Sequence, residues 1–120
     1  MVAELMPQAK LSGRSAIIRH RLSIRYPPNS NTTARIFAHV GDEGWPATIQ
    51  NISLAGISLS LEHWIDPKST VVLELRNDER DFSRLLQLRV LRVRDSQGGT
   101  VTAAGTLNPQ LSHEELHLLR

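Results

Sequence analysis

Ala47-Thr48-Ile49-Gln50-Asn51-Ile52-Ser53-Leu54-Ala55-Gly56-Ile57-Ser58-Leu59-Ser60-Leu61 is the stretch that decides the fold. Apolar and polar residues alternate on both sides of its centre, which is the period of two half-buried strands. The apolar phase runs on odd positions to Ile49, moves to Ile52 and Leu54, and returns to odd positions at Ile57. A tight turn or a bulge therefore interrupts the ladder. Asn51, Ser53 and Gly56 are spaced over the interruption. Asn51 can both donate and accept hydrogen bonds, and Ser53 does both through one oxygen. Gly56 permits positive φ or close approach to the backbone. On these residues alone turn formation is sufficient explanation, with Asn and Ser capping the turn and Gly making the bend.

Short strands continue outward from this centre. Upstream, Ala34 to Val40 and Trp45 to Gln50 flank Gly41-Asp42-Glu43-Gly44, the pattern of a hairpin. Downstream, Ile57 to Leu61 and Thr70 to Leu75 alternate cleanly, and Asn77 to Asp81 reads as a charged turn. Leu85 to Arg94 begins on the phase of Leu86, Leu88 and Val90 and ends on that of Leu91 and Val93, which predicts a bulge near Val90. Ser96-Gln97-Gly98-Gly99 turns the chain into a last strand, Thr100 to Leu107. Ser112 followed by Glu115 makes a capping box, with Leu111 and Leu116 placed as a hydrophobic staple. A short helix over residues 112–120 follows. These elements indicate a mainly β domain, an antiparallel barrel or sandwich of six strands closed by one terminal helix.

The 120 residues suit one domain, and 40% hydrophobic content supports a globular core. Net charge is only +2, yet arginines bunch at 14, 19, 21 and 25 and again at 84, 89, 92 and 94. Such local basicity suits an anionic partner better than a general nucleic-acid coat. The chain has no cysteine, which excludes disulfides and thiolate metal sites and fits a reducing compartment. Residues 1 to 10 contain no long apolar run, so neither a signal peptide nor a membrane span is expected and a cytoplasmic location is. For the same reason the glycosylation patterns at Asn31 and Asn51 are discounted. Residues 1–18 lack periodicity and read as a flexible tail, leaving a domain over 19–120.

Between tail and first strand lies Arg19-His20-Arg21-Leu22-Ser23-Ile24-Arg25-Tyr26, followed by Pro27-Pro28, which disfavour helix. In an extended segment Arg19, Arg21, Ser23 and Arg25 share one face, while Leu22, Ile24 and Tyr26 share the other and can anchor on the barrel. A solvated basic tail is the plain reading of such a charge run. Guanidinium forks on a tethered segment are, however, suited to phosphate and to the O6/N7 edge of guanine.

Other chemistry is poorly represented. His113-Glu114-Glu115-Leu116-His117 matches the zinc-protease pattern, but only three residues follow and the capping box puts it on the first turn of a surface helix. A chance match is the better explanation, and no metal site is expected. There is no phosphate loop and no nucleophile elbow, and His20, His39 and His63 are isolated, so an enzyme is not expected.

Arg21-x-x-x-Arg25 ahead of a first strand, with Asn51-x-Ser53-x-x-Gly56 between later strands, closely resembles the PilZ domain, a bacterial receptor module for cyclic di-GMP. The resemblance runs from about Arg19 to the end. It implies a six-stranded antiparallel split barrel with a C-terminal helix and no cofactor beyond the ligand cyclic di-GMP. By position it implies that Arg21 and Arg25 grip a phosphate and a guanine edge, with Asn51, Ser53 and Gly56 holding the other guanine. Arg19 and His20 stand beside this set, and His20 bears on whether one nucleotide or a stacked pair binds. The arm, residues 19–28, would fold over the ligand and signal to a protein effector. The competing expectations are a PilZ-like protein-interaction adaptor that does not bind the nucleotide, and non-specific nucleic-acid binding through Arg89, Arg92 and Arg94. The scarcity of aromatics for stacking disfavours the second.

Overall fold

The computed structural model describes residues 24–38 and 41–120. The expected tail, the arm positions Arg19, His20 and Arg21, and His39 lie outside them. Six strands follow in order: β1 (Thr32–Phe37), β2 (Trp45–Ile52), β3 (Gly56–Leu61), β4 (Thr70–Asn77), β5 (Phe82–Asp95) and β6 (Val101–Asn108). Helix α1 (His113–Leu119) ends the chain, and single 3₁₀ turns occupy Asp78–Arg80 and Gln97–Gly99. The strands close into an antiparallel barrel in the order β1-β2-β3-β6-β5-β4, so the expected six-stranded barrel with a C-terminal helix is what the chain forms.

Alternation explains the interior. Ile36, Ile52, Ile57, Leu59, Leu73, Leu75, Leu88 and Val90 are fully buried, and each such side chain contributes roughly 1.5–3 kcal/mol of transfer free energy. Closure comes from β1, which pairs with β4 from Thr32↔Asn77 to Phe37↔Val72 and with β2 only from Ala34↔Ala47 to Ile36↔Trp45. The first strand therefore starts and ends earlier than the expected Ala34 to Val40, because its register is set by β4 rather than by its hairpin partner. The 14 residues of β5 serve two neighbours. Their first half pairs with β4 and their second half with β6 alone, and the register shifts between Val90 and Arg92 where the strand leaves β4, at the expected place. There the loop takes over from β4: Lys68 N–H donates to Val90 O at 2.7 Å, and Val90 N–H donates to Ser69 O at 2.8 Å.

Helix α1 closes one end of the barrel with Leu116 and Leu119, both buried beside Leu111. Ser112 Oγ accepts from Glu115 N–H at 3.0 Å while Glu115 Oε1 accepts from Ser112 N–H at 2.9 Å, which is the expected capping box. The last carbonyls of the helix are also satisfied. Arg80 donates to His117 O and Leu118 O, Asn29 N–H donates to Leu119 O, and fully buried Asn77 donates to Leu118 O while its own oxygen caps Arg80 N–H. Glu115 further pairs with Arg84 of β5.

Burial pushes the Glu115 carboxyl up, but the Ser112 backbone N–H and the Arg84 guanidinium together outweigh it and hold the group below the usual range. Folded protein thus binds this proton less tightly than the unfolded chain. The stabilisation is complete above the ordinary glutamate range and is lost as pH falls through the lowered folded value. Glu115→Gln keeps a capping box but not the charge. Thermal melts between about pH 7 and pH 3 should show wild type more stable at neutrality and the two proteins converging in acid. Parallel pH profiles would contradict the assignment.

Candidate functional site

Among the described residues, the segment before β1 makes one β-bridge to the barrel. Tyr26 N–H donates to Ile52 O and Ile52 N–H donates to Tyr26 O, each at 2.9 Å. Pro27 and Pro28 follow at once and carry no N–H, so the pairing cannot continue along β2. Tyr26 is half-buried, with the Arg120 guanidinium 4.3 Å from its ring centroid. Ile24, expected to anchor on the same apolar face, is instead 52% exposed, since the single bridge ends before it. Extended backbone at Tyr26 turns Arg25 to the other side, where Arg25 Nη1 donates to Asn51 Oδ1 at 2.7 Å. Two motifs far apart in sequence thus meet.

The interruption at the centre of the chain consists of a bulge followed by a turn. Register between β2 and β3 shifts between Ile49 and Asn51, which moves Ile52 into the core and leaves Asn51 partly exposed beside Arg25. The turn Ser53 to Gly56 is then closed three times. Ser53 N–H donates to Gly56 O at 2.9 Å, Ser53 Oγ donates to the same oxygen at 3.2 Å, and Gly56 N–H donates to Ser53 Oγ at 3.0 Å. Ser53 is 1% exposed, so its hydroxyl supports the turn and leaves one acceptor site for any ligand. The turn is held from below as well, since Leu107 N–H donates to Ala55 O and Leu111 N–H to Leu54 O, both at 2.8 Å.

Gly56 does not use positive φ; of its two predicted uses the structure takes close approach. A Cβ there would stand 3.0 Å from Gly105 O and 3.2 Å from Arg25 Nη2. The absent side chain lets the guanidinium lie against the turn.

Arg25, Ser53 and Gly56, but not Asn51, line a cleft of about 160 Å³ that Leu91 and Arg92 of β5 and Gly105 of β6 also border. Larger clefts exist elsewhere, among them about 260 Å³ beside Glu62 and His63 and about 350 Å³ between Arg35 and Glu74, but neither gathers the motif residues. Convergence of Arg25, Ser53 and Gly56 on the smaller cleft, with Asn51 bonded to Arg25 beside it, outweighs volume as a criterion. Sequence reasoning did not place Leu91, Arg92 or Gly105 here; the phase shift at Val90 was the signal that could have done so. Arg21, Arg19 and His20 fall outside the described residues. Among the described residues no group of three or more His, Asp or Glu side chains is arranged to hold a metal. The helix pattern His113 to His117 is the capped surface helix already described, with Glu115 engaged by Ser112 and Arg84.

No curated protein matches the chain. Among solved structures it is similar to the Bacillus subtilis inhibitor of motility MotI/DgrA, with a TM-score of 0.57 and 18% identity. The similarity covers 80% of this chain and 46% of that one, so this chain corresponds to less than half of MotI/DgrA. The family model described as PilZ domain matches residues 19–118, from the arginine segment through the terminal helix. The chain belongs to the PilZ domain family.

Proposed function

We propose that this chain is a bacterial cytoplasmic receptor for cyclic di-GMP, a binding module and not an enzyme. On binding, the segment carrying Arg21 and Arg25 changes conformation and the complex signals to a protein effector. The observation that carries this reading is the 2.7 Å contact between Arg25 and Asn51 over the Ser53 to Gly56 turn, at the mouth of a cleft. Arg25 is exposed, and its planar fork has more donors than one amide oxygen can occupy. A phosphate or guanine edge can take the others bidentately. Asn51 keeps its amide N–H groups for a second base edge, and the Gly56 backbone admits a ligand closely. Charge-assisted hydrogen bonds contribute about 1.5–3 kcal/mol each, less the cost of ordering the segment, which gives an affinity near micromolar, roughly −8 kcal/mol.

Calorimetric titration of the whole chain with cyclic di-GMP at physiological salt tests the reading, run beside Arg21→Ala and Ser53→Ala. Saturable heat with a dissociation constant of about 1 µM, lost in Arg21→Ala, is the expected result. Ser53→Ala should bind weakly because the turn itself loosens. No heat at millimolar ligand would reject the receptor reading and leave the adaptor that engages a protein without the nucleotide.

A further inference from the structure

Strand β5 carries a feature that none of the motifs explains. On a regular strand Leu91 and Arg92 would point to opposite faces. Val90 pairs with Gly105 and Arg92 with Ala104, so one residue of β5 is extra at this point. The bulge turns both Leu91 and Arg92 outward, and both stand on the wall of the cleft across from Arg25. Leu91 is 51% exposed, an apolar side chain left facing solvent with nothing over it among the described residues. Among those residues no hydrogen bond or ion pair engages the Arg92 guanidinium, whereas Arg76, Arg80 and Arg84 are all engaged, with Asp78, with the end of α1 and with Glu115. Space for the pair comes from small neighbours, since Gly56, Ala104 and Gly105 build the floor between them and Arg25.

We infer that Leu91 and Arg92 form the barrel-side half of the nucleotide site: Arg92 contacts an anionic phosphate or guanine edge opposite Arg25, and Leu91 supplies an apolar wall for a base. This rests on the cyclic di-GMP reading and assigns it two further binding residues. Ligand is then held between two guanidinium groups on separate elements. One belongs to the segment ahead of β1 and the other to the rigid barrel, which is the arrangement needed to pin that segment down when the site fills. The bulge is what makes it available, as bulges re-aim side chains without breaking the sheet.

The test is titration of the full chain with cyclic di-GMP at physiological salt, comparing wild type with Arg92→Ala, Arg92→Gln, Leu91→Ala and Arg89→Ala. Arg89 lies three positions earlier on the same strand, is exposed, and does not border the cleft, so it controls for general charge. Arg92→Ala and Arg92→Gln should each raise the dissociation constant at least tenfold, Leu91→Ala several-fold, and Arg89→Ala less than twofold. Gln keeps much of the aliphatic stem, which separates lost charge from lost packing, and thermal melts check that each variant is folded. If wild type binds and Arg92→Ala binds equally well, or weakens only as much as Arg89→Ala, this assignment is wrong and the receptor reading stands. If wild type itself gives no binding, both fall together.

Discussion

Gly105→Ala is expected to destabilise the barrel by on the order of 3 kcal/mol or more, lowering the melting temperature by roughly 12 °C or more. Gly105 is buried in β6, paired with Ile57 on one side and Val90 on the other. A Cβ placed there would lie 2.1 Å from the carbonyl oxygen of Arg89, 2.9 Å from its carbonyl carbon and 3.0 Å from Leu88 Cδ1. Two of those atoms are backbone in the neighbouring strand β5, so relief requires shifting the ladder and not merely rotating a side chain. The shift falls next to the Val90 bulge, so cleft and stability should suffer together. Gly98→Ala is the matched control. Nothing lies within 4 Å of a Cβ at that turn, and with φ at +79° the expected cost is conformational, about 1–2 kcal/mol. Melting curves of the two variants decide the matter: a Gly105→Ala protein melting no lower than Gly98→Ala would show that β5 yields easily.

Arg25→Ala should have the opposite profile, a large loss of ligand affinity with little loss of fold. Its contact with Asn51 is exposed, and substitutions of that kind change stability by about 0.5 kcal/mol or less. Binding loses the charge-assisted bonds of the fork and the orientation of Asn51 as well, which together correspond to roughly a hundredfold in dissociation constant for cyclic di-GMP, about 2.7 kcal/mol. Arg25→Lys should recover little, because one ammonium cannot hold the amide oxygen and a planar acceptor edge at once. Combining Arg25→Ala with Asn51→Ala should cost less than the sum of the single changes, since each already disables the other. Calorimetry of wild type, Arg25→Ala, Asn51→Ala, the double variant and Arg25→Lys measures this, and an Arg25→Ala variant within twofold of wild type would remove Arg25 from the site.

What the sequence made legible was whatever depends on neighbours in the chain. Alternation in Ile57 to Leu61, the phase shift at Val90 and the Ser112 to Glu115 spacing each predicted a local feature that the structure contains. Closure was less accessible. Pairing of β1 with β4 joins residues about 40 apart, and no local pattern encodes which edge meets which. Register therefore moved β1 to Thr32–Phe37, against an expected Ala34 to Val40. At the site, the family motifs set Arg25 and Asn51 around one ligand, whereas their direct contact and the wall of Leu91 and Arg92 needed the chain to be placed in three dimensions. Ser53 shows a different gap. The residues alone read it as a turn cap and the resemblance as a ligand contact; it is buried and its hydroxyl makes two of the three hydrogen bonds that close the turn, and residue type alone could not rank the two tasks.

Among the described residues, 24–26 are tied to the barrel by one bridge of two backbone hydrogen bonds, the half-buried Tyr26 ring and the exposed contact of Arg25 with Asn51. Releasing that contact costs a few kcal/mol at about 1 kcal/mol per hydrogen bond, well under the roughly 5–15 kcal/mol of global unfolding. Recognition and foldedness are thus nearly independent quantities in this chain. Substitutions that raise or lower the melting point through the core leave the free energy of lifting the segment almost unchanged, and changes at residues 24–26 retune that free energy without endangering the scaffold. Lineages of such barrels can therefore diverge in ligand threshold while keeping the same thermal tolerance, or adapt to a new temperature while keeping the same threshold.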